Sequence, residues 1–313
     1  MHVARAVVAA ASYAYRLASL KVEADLDLPD LSPWDGPSAA VPDIVIRLDE
    51  VPTQLQDADC IEAIFQTRGR DEYLLTLPGT GRVLVRRGRE IAIEPERDAD
   101  PINMRALLIG PIQAVLWHQR GLLPLQASTV VIGGRAVALA GPPAAGKSAF
   151  AAVLAQAGHE ILADDLCVIE AGGSSGSAIV LPGVTQLRLW RDTLDQLGIA
   201  AKGLRAALSG KEKFLVDCWV GCREKRPLAA VFALARQSNV ALTVQRLSGM
   251  AAMNTLREVV HMRRAASALG CDGDIAAGLT RLSRAAVPVW RLSLPDDPAC
   301  LPEAMGKILR AVE

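Results

Sequence analysis

Eight consecutive residues, Gly141-Pro142-Pro143-Ala144-Ala145-Gly146-Lys147-Ser148, fit the pattern G-x-x-x-x-G-K-[ST], and two adjacent acids, Asp164 and Asp165, stand seventeen and eighteen residues beyond Lys147. Gly141 opens the turn. The backbone N–H groups of Ala144, Ala145, Gly146, Lys147 and Ser148 can converge on a polyphosphate at a helix N-terminus, where unpaired amides and the helix dipole both favour negative charge. Pro142 and Pro143 have no N–H and can only stiffen the approach. Lys147 would bridge the terminal phosphates, and the Ser148 hydroxyl would ligate Mg²⁺. Of Asp164 and Asp165, one can hold the metal and the other can take a proton from an attacking hydroxyl.

The flanking residues supply the elements such a turn needs. Residues 136–140 are an apolar run too short for a helix and read as a buried strand of a parallel sheet. From Ser148 the period changes: Phe150, Val153 and Leu154 share one helix face, and Gly158 ends the helix as a left-handed cap. A second apolar strand, 161–163, runs into the acids, at the end of a strand where an open α/β sheet places its ligands. That context favours a phosphate cradle over a glycine-rich turn with an incidental lysine.

The chain of 313 residues is long enough for two domains, and its 34 basic and 34 acidic side chains cancel. No basic field steers it toward nucleic acid, and no run approaches the roughly 18 apolar residues that span a bilayer. The first sixteen residues imitate a short signal peptide but are interrupted by Tyr13, Tyr15 and Arg16. Six scattered cysteines, with Cys218 and Cys222 lacking a second ligand pair, suit reduced thiols in a cytoplasmic protein.

Residues 1–100 read as a smaller β-rich N-terminal domain, serving substrate docking or a structural role. Alternation over 20–28 predicts a strand, residues 28–43 a proline-rich loop, and 44–48, 73–77, 82–85 and 90–93 further strands. Residues 101–313 read as the α/β domain that carries the loop. A helix over 102–120 should be kinked or split by Pro111, and His118 near its end reads as a capping or surface histidine. Residues 123–141 read as two strands joined by Gly133-Gly134. Strands follow at 167–169, 178–181 and 186–190, then a helix over 191–197 and a strand after Lys213. Later come strands at 228–235 and 240–247, helices near 249–269 and 274–285, a strand at 287–294 and a final helix near 299–312. The apolar positions of that last helix, Leu301, Met305, Ile308 and Leu309, offer a face to a homo-oligomer.

On these residues the chain resembles the HPr kinase/phosphorylase superfamily, closest to the HPr kinase-related serine kinases that include lasso-peptide kinases. The resemblance is densest over 122–170, in GPPAAGKS followed by ILADD, and looser through LPGVTQLRLW and Gly210-Lys211-Glu212-Lys213. It implies a P-loop kinase domain of HPr kinase type, using ATP and Mg²⁺ to phosphorylate a serine hydroxyl on a peptide or protein. It also implies Asp164 as the base and Asp165 as the metal-side carboxylate, with Lys213 and Arg188 as cations facing phosphate. Three departures stand out: Ala149 where an acidic residue usually follows G-K-S, Gln126 where related kinases carry histidine, and Pro142-Pro143-Ala144 in place of a Ser/Gly-rich turn. Gln126 and Ala149 favour a competing reading, a nucleotide-binding regulatory module with little or no turnover. A third reading keeps the chemistry but transfers to a small-molecule hydroxyl.

Overall fold

The computed structural model describes residues 12–171, 177–218, 220–238 and 240–312. Most of the apolar N-terminal stretch and the glycine-serine run near 172–176 lie outside them. The chain is mixed α/β, with two nine-stranded sheets and a three-stranded one.

The first sheet spans Tyr13 to Pro95. Alternation in Leu20–Ala24 makes a strand as expected, but its antiparallel partner is Tyr13–Leu17, residues whose aromatic interruptions had suggested only a failed leader. Ala18 takes a left-handed φ of 54° and lets the hairpin reverse. The strands Ile44–Leu48, Glu72–Leu77, Gly81–Arg86 and Glu90–Pro95 form where the pattern puts them, and Cys60–Ile61 and Phe65–Arg68 extend the sheet's other edge.

Pro101–Leu107 and Gln113–Gln119 are α-helical, and between them Leu108–Ile112 winds as a π turn containing Pro111. The proline therefore widens the helix without ending it: Gln113 N–H reaches the Leu108 carbonyl five residues back. Arg105, on the first segment, pairs with Asp30, in the turn that precedes the edge strand Ser32–Pro33 of the first sheet, at 2.9 Å and donates to the Ala206 carbonyl at 3.2 Å. A single apolar cluster runs from the first sheet through this helix into the second sheet.

The second sheet carries the loop. Arg135–Ala140 lies between Ala127–Ile132, antiparallel, and Arg226–Arg236, parallel, and the latter is parallel to Val289–Leu294. The acid strand, Glu160–Ala163, pairs antiparallel with Ala127–Ile132. The loop strand thus has the parallel neighbour its apolar run suggests on one side, while on the other an opposed strand separates it from the acid strand. At strand spacing the gap is roughly 10 Å. Lys147–Gln156 follows the loop as a helix and packs Phe150, Ala151 and Leu154 against Leu139, Leu187 and Leu189. Leu187–Trp190, Lys213–Val216 and Arg205–Ala206 make the three-stranded sheet over that helix.

Two further expectations change. The helix foreseen over 249–269 breaks into Gly249–Glu258 and Arg263–Ala268, with Met262 left-handed at φ 51°. The residues between pair with the edge at 124–126: Gln126 N–H donates to Val259 O and His261 N–H to Pro124 O. The face of Leu301–Val312 assigned to a second copy is used inside the chain, where Leu301 and Ile308 are buried in the cluster with Phe150. No helix among the described residues is long and apolar enough to cross a membrane.

Phe150 is fully buried beneath the loop, so Phe150→Ala removes a ring that its neighbours cannot replace. The expected loss is about 3–5 kcal/mol of unfolding free energy in chemical denaturation, and a loss below about 1 kcal/mol would show the loop to be supported otherwise.

Candidate functional site

The loop's backbone departs from ordinary helix and strand geometry at both ends. Gly141, Ala144 and Gly146 have φ of 152°, 65° and 95°. A Cβ at Gly141 would stand 3.0 Å from the Leu234 carbonyl, so that position admits little beyond glycine. Gly146 caps the helix, and Phe150 N–H closes its first turn on the Gly146 carbonyl. Gln126 sits across from the loop's start, its carbonyl accepting from Gly141 N–H at 3.2 Å.

Lys147 is 6% exposed, and its Nζ donates to Gly141 O at 3.0 Å and Pro142 O at 2.9 Å. Burial pushes this ammonium below the ordinary lysine range, Asp165 and Asp164 pull it back up, and Lys213 adds to the depression. Lys213 is affected the same way: burial lowers it, the two acids raise it, and Arg188 lowers it further. Lys147, Lys213, Arg188, Asp164 and Asp165 therefore share one electrostatic environment, three cations against two carboxylates.

Asp164 and Asp165 serve that space because the strand stops just before them, at Ala163. Consecutive strand residues point to opposite faces, but Asp165 adopts a left-handed φ of 66° and breaks the alternation. Asp164 is 5% exposed and richly bonded. Its Oδ1 accepts from Ser128 Oγ at 2.5 Å and Ser148 Oγ at 2.9 Å, and its Oδ2 accepts from Arg188 N–H at 3.0 Å. Asp165 is more open and meets the Arg188 guanidinium at 3.4 Å. The π turn lies against this pair, for a Cβ added at Gly110 would be 3.7 Å from Asp165 Oδ2 and 3.9 Å from Arg188 Nη1. The small sheet presents Arg188, Trp190 and Lys213 on one face, because Trp190 is the register partner of Lys213, whose ammonium lies 5.5 Å from the indole ring.

The structure thus brings together Lys147, Ser148, Asp164, Asp165, Arg188 and Lys213, with Gln126 at the loop's start. Of the two acids it is Asp164, and not Asp165, whose carboxylate the Ser148 hydroxyl bonds. A hydroxyl and a carboxylate oxygen in contact are the hard donors that suit Mg²⁺, which commonly takes one or two carboxylates and completes its shell with phosphate and water. No group of three or more His, Cys, Asp and Glu side chains that could hold a metal occurs among the described residues.

Ser128 and His261 had no sequence signal. Ser128 belongs to the strand between the loop and the acids and bridges that gap by its hydroxyl. His261 arrives from the break between two helices and feels the charges of Asp165 and Lys147, with burial holding its imidazole below the ordinary range. Its carbonyl accepts from His118 Nε2 at 2.8 Å. The reading of His118 as a surface or capping residue is corrected: it is 1% exposed, and burial pushes it down to about 4.

A cavity of about 370 Å³ opens nearby, between the first sheet with its edge turn (Arg16, Asp30) and the segments that carry Gly183, Thr185, Asp217 and Arg223. Its wall is tied to the acid strand by Asp164 N–H on Val184 O and Gly183 N–H on Leu162 O.

No family model and no curated protein matches the chain. Among solved structures it is similar to the HPr(Ser) kinase/phosphatase from Coxiella burnetii, at 12% sequence identity and a TM-score of 0.30, covering 60% of this chain and 96% of that one. The chemistry of the site rests on its own residues.

Because His118 is held neutral when folded and takes up a proton near pH 6.5 once unfolded, its contribution to stability is complete above that pH and declines as pH falls toward 4. The expected decline reaches about 3 kcal/mol. His118→Gln keeps a donor for the His261 carbonyl, and denaturation from pH 7 to 4 should show a shallower loss in the variant. Equal slopes would rule out the histidine as the source.

Proposed function

We propose that this chain is an ATP- and Mg²⁺-dependent kinase whose acceptor is a serine hydroxyl on a peptide or protein. The observation that carries the reading is the contact of Ser148 with Asp164 at the mouth of the glycine-bounded loop, with Asp165, Arg188 and Lys213 beside it. Phosphoryl transfer asks a protein mainly for positioning and charge neutralisation, and this cluster is suited to both. The amides of residues 144–148 would cradle the phosphates. Lys147 already has two of its three N–H donors on loop carbonyls, which leaves one for a phosphate oxygen. Arg188 and Lys213 would neutralise the transferred group from the acid side.

Ser148 and Asp164 would hold Mg²⁺, which supplies charge neutralisation between the terminal phosphates. The more open Asp165 is then the group to accept the acceptor's proton, the reverse of the order implied by resemblance. Arg188 would fix its carboxylate, and the π turn at Gly110 would back it. The serine acceptor comes from the resemblance carried by GPPAAGKS and ILADD. The cavity between the sheets has room for part of a polypeptide, and the segment at Gly183 that lines it is hydrogen-bonded to the acid strand.

Labelled ATP and serine-containing peptides, followed by mass spectrometry, test the reading; free phosphate without labelled acceptor would sink it. Lys147→Ala should lose nucleotide affinity and transfer together. Asp165→Asn should keep nucleotide affinity and lose about 10²–10⁴-fold in rate. Asp164→Asn should instead weaken the magnesium dependence of nucleotide binding. Transfer at the native rate by Asp165→Asn would return the base role to Asp164.

A further inference from the structure

Arg236 ends the strand Arg226–Arg236, the parallel neighbour of the strand that feeds the loop; Ala233 is the register partner of Ala140. Both strands run out at the same edge of the sheet, where an open α/β sheet receives ligands. There the Arg236 side chain comes alongside the loop: a Cβ placed on Gly146 would stand 3.3 Å from Nη2 of its guanidinium. Its protein contacts are few. Nη1 donates to the Asp296 carbonyl at 3.3 Å, and Nε is buried with no hydrogen-bond partner among the described residues. No carboxylate among those residues lies within ion-pair distance of it.

An always-charged fork with most of its five donors unspent, held against the amides of a phosphate-type loop, is matched by a phosphate's oxygens. The position also says which phosphate. Arg188 and Lys213 interact with Asp164 and Asp165, so they attend the end where a group is transferred. Arg236 lies at Gly146, toward Asp296 and Cys300, and Cys300 feels its charge. We propose that Arg236 binds the diphosphate that stays with the nucleoside after transfer. This rests on the kinase reading above and adds to it a division of labour among cations.

In the transfer, the bond from the acceptor oxygen to the γ-phosphorus forms and the bond from that phosphorus to the β–γ bridging oxygen breaks. The electron pair of the broken bond stays on the diphosphate, and the hydroxyl proton passes to the Asp165 carboxylate. Arg236 stands where that added negative charge collects. It is a ligand of both donor and product.

Calorimetric titration of ATP and of ADP with Mg²⁺ separates the possibilities, using the native chain, Arg236→Gln, Arg236→Lys, Lys213→Gln and Lys147→Ala, each checked for folding by thermal melting. Arg236→Gln should weaken ATP and ADP by a similar factor, about 10- to 100-fold. Arg236→Lys, which keeps the charge but loses the fork, should fall between, and it carries the test if the glutamine variant does not fold. Lys213→Gln should weaken ATP more than ADP. If Lys147→Ala loses ADP while Arg236→Gln and Arg236→Lys bind it within twofold of the native chain, the role of Arg236 is overturned and the loop reading stands. An effect of Arg236→Gln on ATP alone also overturns it. If Lys147→Ala binds both nucleotides normally, the loop reading fails and this proposal falls with it.

Discussion

The hydroxyl of Ser148 against the carboxylate of Asp164 joins two pieces of chain that the sheet keeps apart. The loop follows one strand and the acids follow another, with an antiparallel strand between them. Ser128, on that intervening strand, gives the same carboxylate a second hydroxyl, and the Arg188 amide gives it a third donor. A carboxylate with so little exposure needs such partners, because an unsatisfied buried charge is among the most unfavourable features a fold can contain. The bonds that satisfy it also fix the distance between loop and acid. Stability and site geometry thus have the same origin.

Around that contact the charges are sorted by position. Lys147 and Lys213 are both depressed by burial and both drawn back by the two acids. A polyphosphate would bring several negative charges, and the cations, loop amides and a hard metal ion together could meet them. The small sheet matters here because its register places Arg188 and Lys213 on one face while Leu187 and Leu189 anchor the other on the loop's helix.

How much of this was readable follows the range of each interaction. Gly141 through Ser148, the helix with Phe150 and the strand into Asp164 are set by residues within one short stretch, so local pattern sufficed. The pairing of Ser148 with Asp164 in preference to Asp165 depends on a left-handed turn at Asp165, which no composition announces for an aspartate. Ser128 looks like any strand hydroxyl until the strand order is known. His118 and His261 are distant in the chain and meet only because the helix after Gly249 breaks at Val259. Periodicity alone carried through that break, since Val259, Val260 and Met262 keep it largely apolar. The final helix shows the same limit: Leu301 and Ile308 mark an apolar face, but only packing reveals that the chain itself covers it.

The segment from Pro101 to Gln119 touches three parts of the molecule along one rod. Arg105 grips Asp30 at the edge of the first sheet and the Ala206 carbonyl in the smallest one, while the widened turn at Gly110 rests by Asp165 and Arg188. One continuous element therefore sets the spacing of the first sheet, the smallest sheet and the turn beside the acids, and a shift at any one of these contacts is shared along its length.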